Sequence, residues 1–186
     1  MSLAALVAGG LLLAGCVVTS VYPWYTAKDV VFDPALIGTW VEATSTNGSN
    51  EGVRFERGEG DAYIMTMVEK DKSVTYDSHL FKLKNRLFLD YCPREGHDDF
   101  IPPHNLLKVE SITPTFRLAG MSYKWLSELV EKNPKSIRHI LVGGKPGEPK
   151  SARVVLTADT AELQKFLLKN LTNTNAFDEP AELKRQ

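Results

Sequence analysis

The sequence predicts an α+β fold that is mostly β: an antiparallel meander forming a curved sheet or a barrel, with two covering helices. Three observations carry this. Between Leu36 and Met121, short runs rich in β-branched and aromatic residues alternate with turn-forming clusters. The links between those runs are short, which favours antiparallel neighbours. Beyond Met121, two segments switch to helical spacing of their apolar residues, each one-sided enough to cover part of a sheet.

The strands are expected at 36–43 (LIGTWVEA), 52–57 (GVRFER), 62–69 (AYIMTMVE), 73–84 (SVTYDSHLFKLK), 86–92 (RLFLDYC), 105–111 (NLLKVES) and 114–120 (PTFRLAG). The breaks NGSNEG, RGEGD and EKDKS carry Gly, Asn, Asp and Ser, the residues that favour turns. In RLFLDYC, Leu87, Leu89 and Tyr91 fall on one face and Arg86, Phe88 and Asp90 on the other. The first helix is MSYKWLSELVEKNP, with Ser122 as N-cap and a stripe of Trp125, Leu126, Leu129 and Val130. The second is DTAELQKFLLKNL, where Asp159 and Glu162 stand three apart in the manner of a capping box. Strands at 137–142 (IRHILV) and 152–157 (ARVVLT) lie between the helices, joined by GGKPGEPKS. That loop has Gly, Lys and Ser but not the order of a phosphate-binding loop, and its prolines suit a hairpin connection.

With 186 residues, the chain is long enough for one substantial core. Hydrophobic residues at 43% and charged residues at 24% indicate a globular protein. A net charge of −1 with scattered basic residues excludes a nucleic-acid partner. No repeat and no low-complexity segment stands out.

The opening stretch is more specific. Residues 3–14, LAALVAGGLLLA, carry no charge and are too few to span a bilayer, which takes about 20. They match the apolar region of a secretory signal. Leu13-Ala14-Gly15-Cys16 then resembles the lipobox of bacterial lipoproteins. The resemblance implies that 1–15 is a signal peptide, that the Cys16 sulfur carries a diacylglyceryl group, and that the new amino terminus is acylated as well, palmitate being the usual chain. Two or three acyl chains make a lasting anchor where one does not. No Lys or Arg precedes Cys16, which points to a start upstream of Met1. Val17 stands where an Asp would retain such a lipoprotein in the inner membrane, so the resemblance implies the periplasmic face of the outer membrane.

Residues 16–35 then read as a lipid-anchored tether, its helix potential broken by Pro23 and Pro34, with Tyr22, Trp24 and Tyr25 expected to dock on the folded domain. The remaining 36–186 make one β-rich domain. Within it, Gly38-Thr39-Trp40 resembles the G-x-W of lipocalins and related calycins, in which the Trp opens the first barrel strand and closes one end of the core. This implies a lipocalin-like barrel. The longer string YTAKDVVFDPALIGTW, with AELQKFLLKN near the end, resembles small uncharacterised envelope lipoproteins of Gram-negative bacteria and supplies no activity.

Side chains with chemical potential cluster in YCPREGHDDFIPPHN. Cys92, His97, Asp98, Asp99 and His104 are metal-ligand types, but their spacing matches no standard zinc pattern. A Cys92–His79 nucleophile pair is a further option, lacking an orienting third group. His79, which shares a strand face with Asp77 and Phe81, reads as a half-buried strand histidine, as does His139. Cys92 reads as a small buried hydrophobe, and Met65 and Met67 as core. No G-x-S-x-G elbow is present.

No catalytic, cofactor or metal site is therefore assigned, and the single modification site is Cys16. The leading expectation is a non-enzymatic, lipid-anchored envelope module that binds a small apolar ligand in a cavity lined by Phe55, Tyr63, Phe81 and Phe88. The alternatives are a lipoprotein that contacts other envelope proteins through an exposed apolar patch, and an extracytoplasmic enzyme using Cys92 with His79 or a metal at His97 and His104.

Overall fold

A computed structural model of the chain describes residues 17–44, 51–69, 72–94, 103–144 and 152–186. Eleven strands and two helices follow one another as β1 (Thr19–Ser20), β2 (Gly38–Glu42), β3 (Gly52–Arg57), β4 (Tyr63–Glu69), β5 (Lys72–Leu83), β6 (Arg86–Pro93), β7 (His104–Ser111), β8 (Phe116–Gly120), α1 (Tyr123–Lys132), β9 (His139–Val142), β10 (Arg153–Leu156), α2 (Thr160–Asn170) and β11 (Ala181–Arg185).

Strands β2 to β8 form the expected meander, each paired antiparallel with the next. β11 then pairs with both β8 and β2. Eight antiparallel strands are thereby closed into a barrel with no free edge. The sequence reading missed β11: AELKR is mixed in charge and carries one large apolar residue, Leu183, on its inward face. It also missed β1, whose two polar residues, Thr19 and Ser20, are too few to show a period.

Alternation gives the barrel wall two buried faces. Inward residues such as Leu80, Leu89, Leu107 and Leu118 fill the barrel. From the same four strands, Phe81, Phe88, Leu106 and Ala119 point outward into a second core beneath both helices, β10 and the N-terminal arm. The arm is not free. Val17 bridges Ser122, β1 pairs with β7 and β10, and Trp24 is fully buried in the second core. The arm then crosses to β5, where Val30 bridges Phe81 and the Lys82 N–H donates to the Asp29 carbonyl at 2.8 Å. Helix α2 clamps it from above. Thr160 donates to the Pro23 carbonyl at 2.7 Å, and the Gln164 amide donates to the Trp24 carbonyl at 3.1 Å and to Asp29 at 2.9 Å.

The helix caps differ from each other. Asp159 caps α2 through the Glu162 N–H at 3.0 Å, but Glu162 turns to Arg138 at 2.6 Å instead of completing a box. Ser122 is the N-cap of α1 without a side-chain hydrogen bond.

The arm ends by plugging the barrel. A single 3₁₀ turn at Pro34–Leu36 puts Leu36 inside, where it has no exposure. Trp40 donates its indole N–H to the Leu36 carbonyl at 2.9 Å. Arg185, at the end of β11, lies over the Trp40 ring at 4.7 Å and donates to the carbonyls of Ile37 at 2.8 Å and Ala35 at 2.5 Å. Gly38 makes room for this. Its φ is +134°, and an added Cβ would stand 2.7 Å from the Arg185 guanidinium nitrogen.

Two substitutions test this knot in urea titrations. Arg185→Ala should cost about 1 kcal/mol, a cation–π contact plus partly exposed charge-assisted bonds. Gly38→Ala should cost about 2 kcal/mol or more, because it adds backbone strain and displaces the same arginine.

Candidate functional site

Polar side chains stand on both faces of the barrel wall: on the inner face away from the plug, and on a strip of the outer face under the arm.

The plugged half of the interior is solid. Trp40, Phe55, Tyr63, Met65, Leu80 and Phe116 have at most 1% exposure, so no water-sized void borders them. Phe55 meets Tyr63 and Phe116 edge-on at 6.2 and 5.9 Å, and Phe116 lies 5.3 Å from Trp40. The Tyr63 hydroxyl is bonded to the backbone of Asp33. The expected cavity lined by Phe55, Tyr63, Phe81 and Phe88 is therefore not formed. Phe55 and Tyr63 are packed inside, while Phe81 and Phe88 stack on each other at 5.4 Å in the outer core. Strand parity decides the split: Phe81 and Phe88 pair directly across β5 and β6 on the outward face.

The other end is different in chemistry. Tyr76 and Tyr91 meet edge-on at 5.2 Å on the inner face of β5 and β6. Burial raises the pKa of both phenols, and the Asp90 charge adds to this at Tyr91, so both stay protonated. Across the barrel, Glu42 pairs in register with Leu183, a core residue, and so lies on the inner face of β2. Its Oε1 is buried with no hydrogen-bond partner among the described residues. Sequence patterning did not single out Glu42. The available signal was a carboxylate two residues beyond Trp40, on the same face by alternation.

The outer strip holds the sequence-predicted candidates. Asp90 is buried, accepts the Trp24 backbone N–H at 2.9 Å and pairs with His104 Nδ1 at 2.8 Å. On β5, His79 is half-buried, as its strand position predicts. Its Nδ1 is bonded to the Tyr25 hydroxyl at 2.9 Å and its ring stacks on Tyr25 at 4.6 Å. Burial holds the His79 pKa below its usual value, against the opposing charges of Asp90 and Asp77. Burial, with the Asp90, Cys92 and Asp77 charges, pushes the Tyr25 phenol up to about 12.

Cys92 shares this face but is only half-buried, more open than the small core residue expected. Burial and the Asp90 and Asp77 charges push its thiol up to about 11, so it is protonated and weakly nucleophilic at neutral pH. His79, its supposed base, is engaged by Tyr25. His97, Asp98 and Asp99 lie outside the described residues. Among the described residues no group of three His, Cys, Asp or Glu is arranged to hold a metal. His139 is bonded through Nδ1 to the Ile137 carbonyl at 2.9 Å. The strip reads as a pin: one buried carboxylate fastens the arm to the wall through Trp24 and orients His104.

A closed eight-stranded antiparallel barrel, plugged at one end and flanked by two helices, places the protein among lipocalin-like barrels in architecture. No family model matches the sequence, and no curated protein and no solved structure matches the chain.

Removing the pin should be expensive. Asp90→Ala leaves the buried Trp24 N–H unpaired and should cost about 2–3 kcal/mol in urea unfolding, with Asp90→Asn recovering part of it. His79 makes the fold acid-sensitive. Because its folded pKa lies below the unfolded value, its contribution is complete above about pH 6.5 and is lost as pH falls below that. The drop in urea midpoint between pH 7.5 and 5.5 should therefore shrink in His79→Gln. At pH 7.5, iodoacetamide should alkylate Cys92 at least about tenfold more slowly than free cysteine.

Proposed function

We propose that the protein is a lipid-anchored cell-envelope module, held through acylated Cys16 at the periplasmic face of the outer membrane, that binds a small, largely apolar ligand without catalysis. The ligand enters the barrel end opposite the plug. Its apolar body packs on Tyr76 and Tyr91, and a donor group, such as an amine or hydroxyl, meets Glu42.

The observation that carries this reading is the unpaired, buried Oε1 of Glu42 on the inner face of the barrel. Buried acceptors are almost always satisfied, and an orphan calls for a partner. The solid plugged half leaves the opposite end of the interior to a ligand, so a small molecule suits this reading better than a long acyl chain. The lipid anchor rests on the Leu13-Ala14-Gly15-Cys16 lipobox. A non-catalytic role accords with the protonated Cys92 thiol and the engaged His79.

Native mass spectrometry on residues 17–186, secreted without lipid, is the direct test. A non-covalent adduct lost in Glu42→Gln or Tyr76→Ala, with the fold intact by circular dichroism, supports the reading; an adduct-free mass from every envelope extract tried counts against it. For the anchor, Cys16→Ser in the full chain should move the protein from the membrane to the soluble fraction.

A further inference from the structure

We propose that the strand edge formed by Ile140, Leu141 and Val142 rests on the membrane that carries the lipid anchor, so that the barrel is held in one fixed orientation. This rests on the lipid-anchor reading above.

Four large hydrophobic side chains are exposed among the described residues, and three are consecutive in β9: Ile140 at 50%, Leu141 at 55% and Val142 at 47%. Among the described residues, β9 is the outermost strand of the sheet and pairs with β10 alone. A bare apolar edge is a liability that proteins normally blunt with charge, proline or a cover. Here no charge interrupts Ile140–Val142.

The occupant follows from where the chain enters the domain. Thr19 and Ser20 pair in parallel with Val155 and Leu156, and Arg153 and Val154 of the same strand pair with Val142 and Leu141. Carrying that register back two residues sets Val17 level with Arg153 and Val142. Two strand spacings separate Val17 from Val142, about 10 Å. Val17 is itself fixed by its bridge to Ser122, and Cys16 is the next residue in the chain. No slack separates the acylated sulfur from the folded domain. An anchor this short brings the bilayer to the edge of the small sheet β1–β10–β9, where the apolar edge is waiting. The exposed Arg153 in the same row suits an anionic headgroup layer. At that level, water still satisfies the unpaired backbone of the edge, so only the side chains enter the apolar boundary.

The test uses the full lipidated chain with Cys92→Ala. An environment-sensitive fluorophore is placed on Leu141→Cys or, as control, on Glu59→Cys in the β3–β4 turn across the barrel. The protein is reconstituted in phosphatidylethanolamine–phosphatidylglycerol vesicles. The expected result is a blue shift at position 141 and at least a twofold loss of emission with quencher-bearing lipids, with neither at 59. If intact mass shows acyl chains on Cys16 but the probe at 141 stays aqueous, the inference is overturned while the anchor stands. A blue shift without lipid quenching that grows with protein concentration overturns it in favour of a second copy on this edge. An intact mass lacking acyl chains removes the anchor reading and this inference with it.

Discussion

The fold depends on one junction, where the last strand meets the first. A meander of seven strands is an open, curled sheet with two bare edges. It becomes a barrel only when β11 fills the gap between β8 and β2. Trp40 and Arg185 lie opposite each other in that junction. The guanidinium covers the indole and holds two carbonyls of the arm, so the first strand, the last strand and the plug are tied at one point. Gly38 is the conformational condition for this, since a side chain there would occupy the space of the guanidinium. The β11–β2 pairing is the least local in the barrel, and its loop-closure cost must be met by contacts made only when it forms.

The segment between β8 and β11 serves both purposes. It carries the chain around to the closing position and covers the outer wall on the way. The wall strands β5 to β8 therefore read as apolar on both faces, unlike the β2–β3 side. Phe81 and Phe88 face one core while Leu80 and Leu89 face the other. The arm is sandwiched in the outer core, which explains a buried carboxylate there. Trp24 must turn its backbone N–H toward the barrel wall, and Asp90 supplies the acceptor. A neutral apolar residue at position 90 would pack but would leave that N–H unpaired.

Much of this was legible in the sequence. Period-two alternation in RLFLDYC sorts Leu89 from Phe88 and Asp90 correctly, and the turn clusters mark the meander. What alternation cannot supply is which face is the barrel interior when both are buried, so by sequence alone Phe81 and Phe88 group with Phe55 and Tyr63 around one cavity. β11 escaped for the opposite reason. A strand whose outward side chains are Glu182 and Lys184 and whose single large inward apolar residue is Leu183 has too little periodic signal. Its identity comes from pairing with distant partners. The pin at Asp90 was half legible: its face was predicted, but its partners Trp24 and His104 lie 66 and 14 residues away.

Two carboxylates, one on each face of the barrel wall, differ in how their burial is compensated. Asp90 lies under the arm with a backbone donor and a histidine on its two oxygens, so its burial is compensated and removing it can only loosen the fold. Glu42 lies on the inner face of β2 with a buried oxygen that has no hydrogen-bond partner among the described residues. Burying an acceptor without a partner costs stability, and a neutral apolar residue beside Leu183 would avoid that cost. Under the ligand-binding reading proposed above, that cost is offset when a donor group meets the carboxylate. The barrel's solid half reinforces the point. With the plugged end packed by aromatic rings, the proposed ligand would meet the end where that carboxylate and the Tyr76–Tyr91 pair lie, and a donor on an apolar body is the chemistry that the proposal assigns to it.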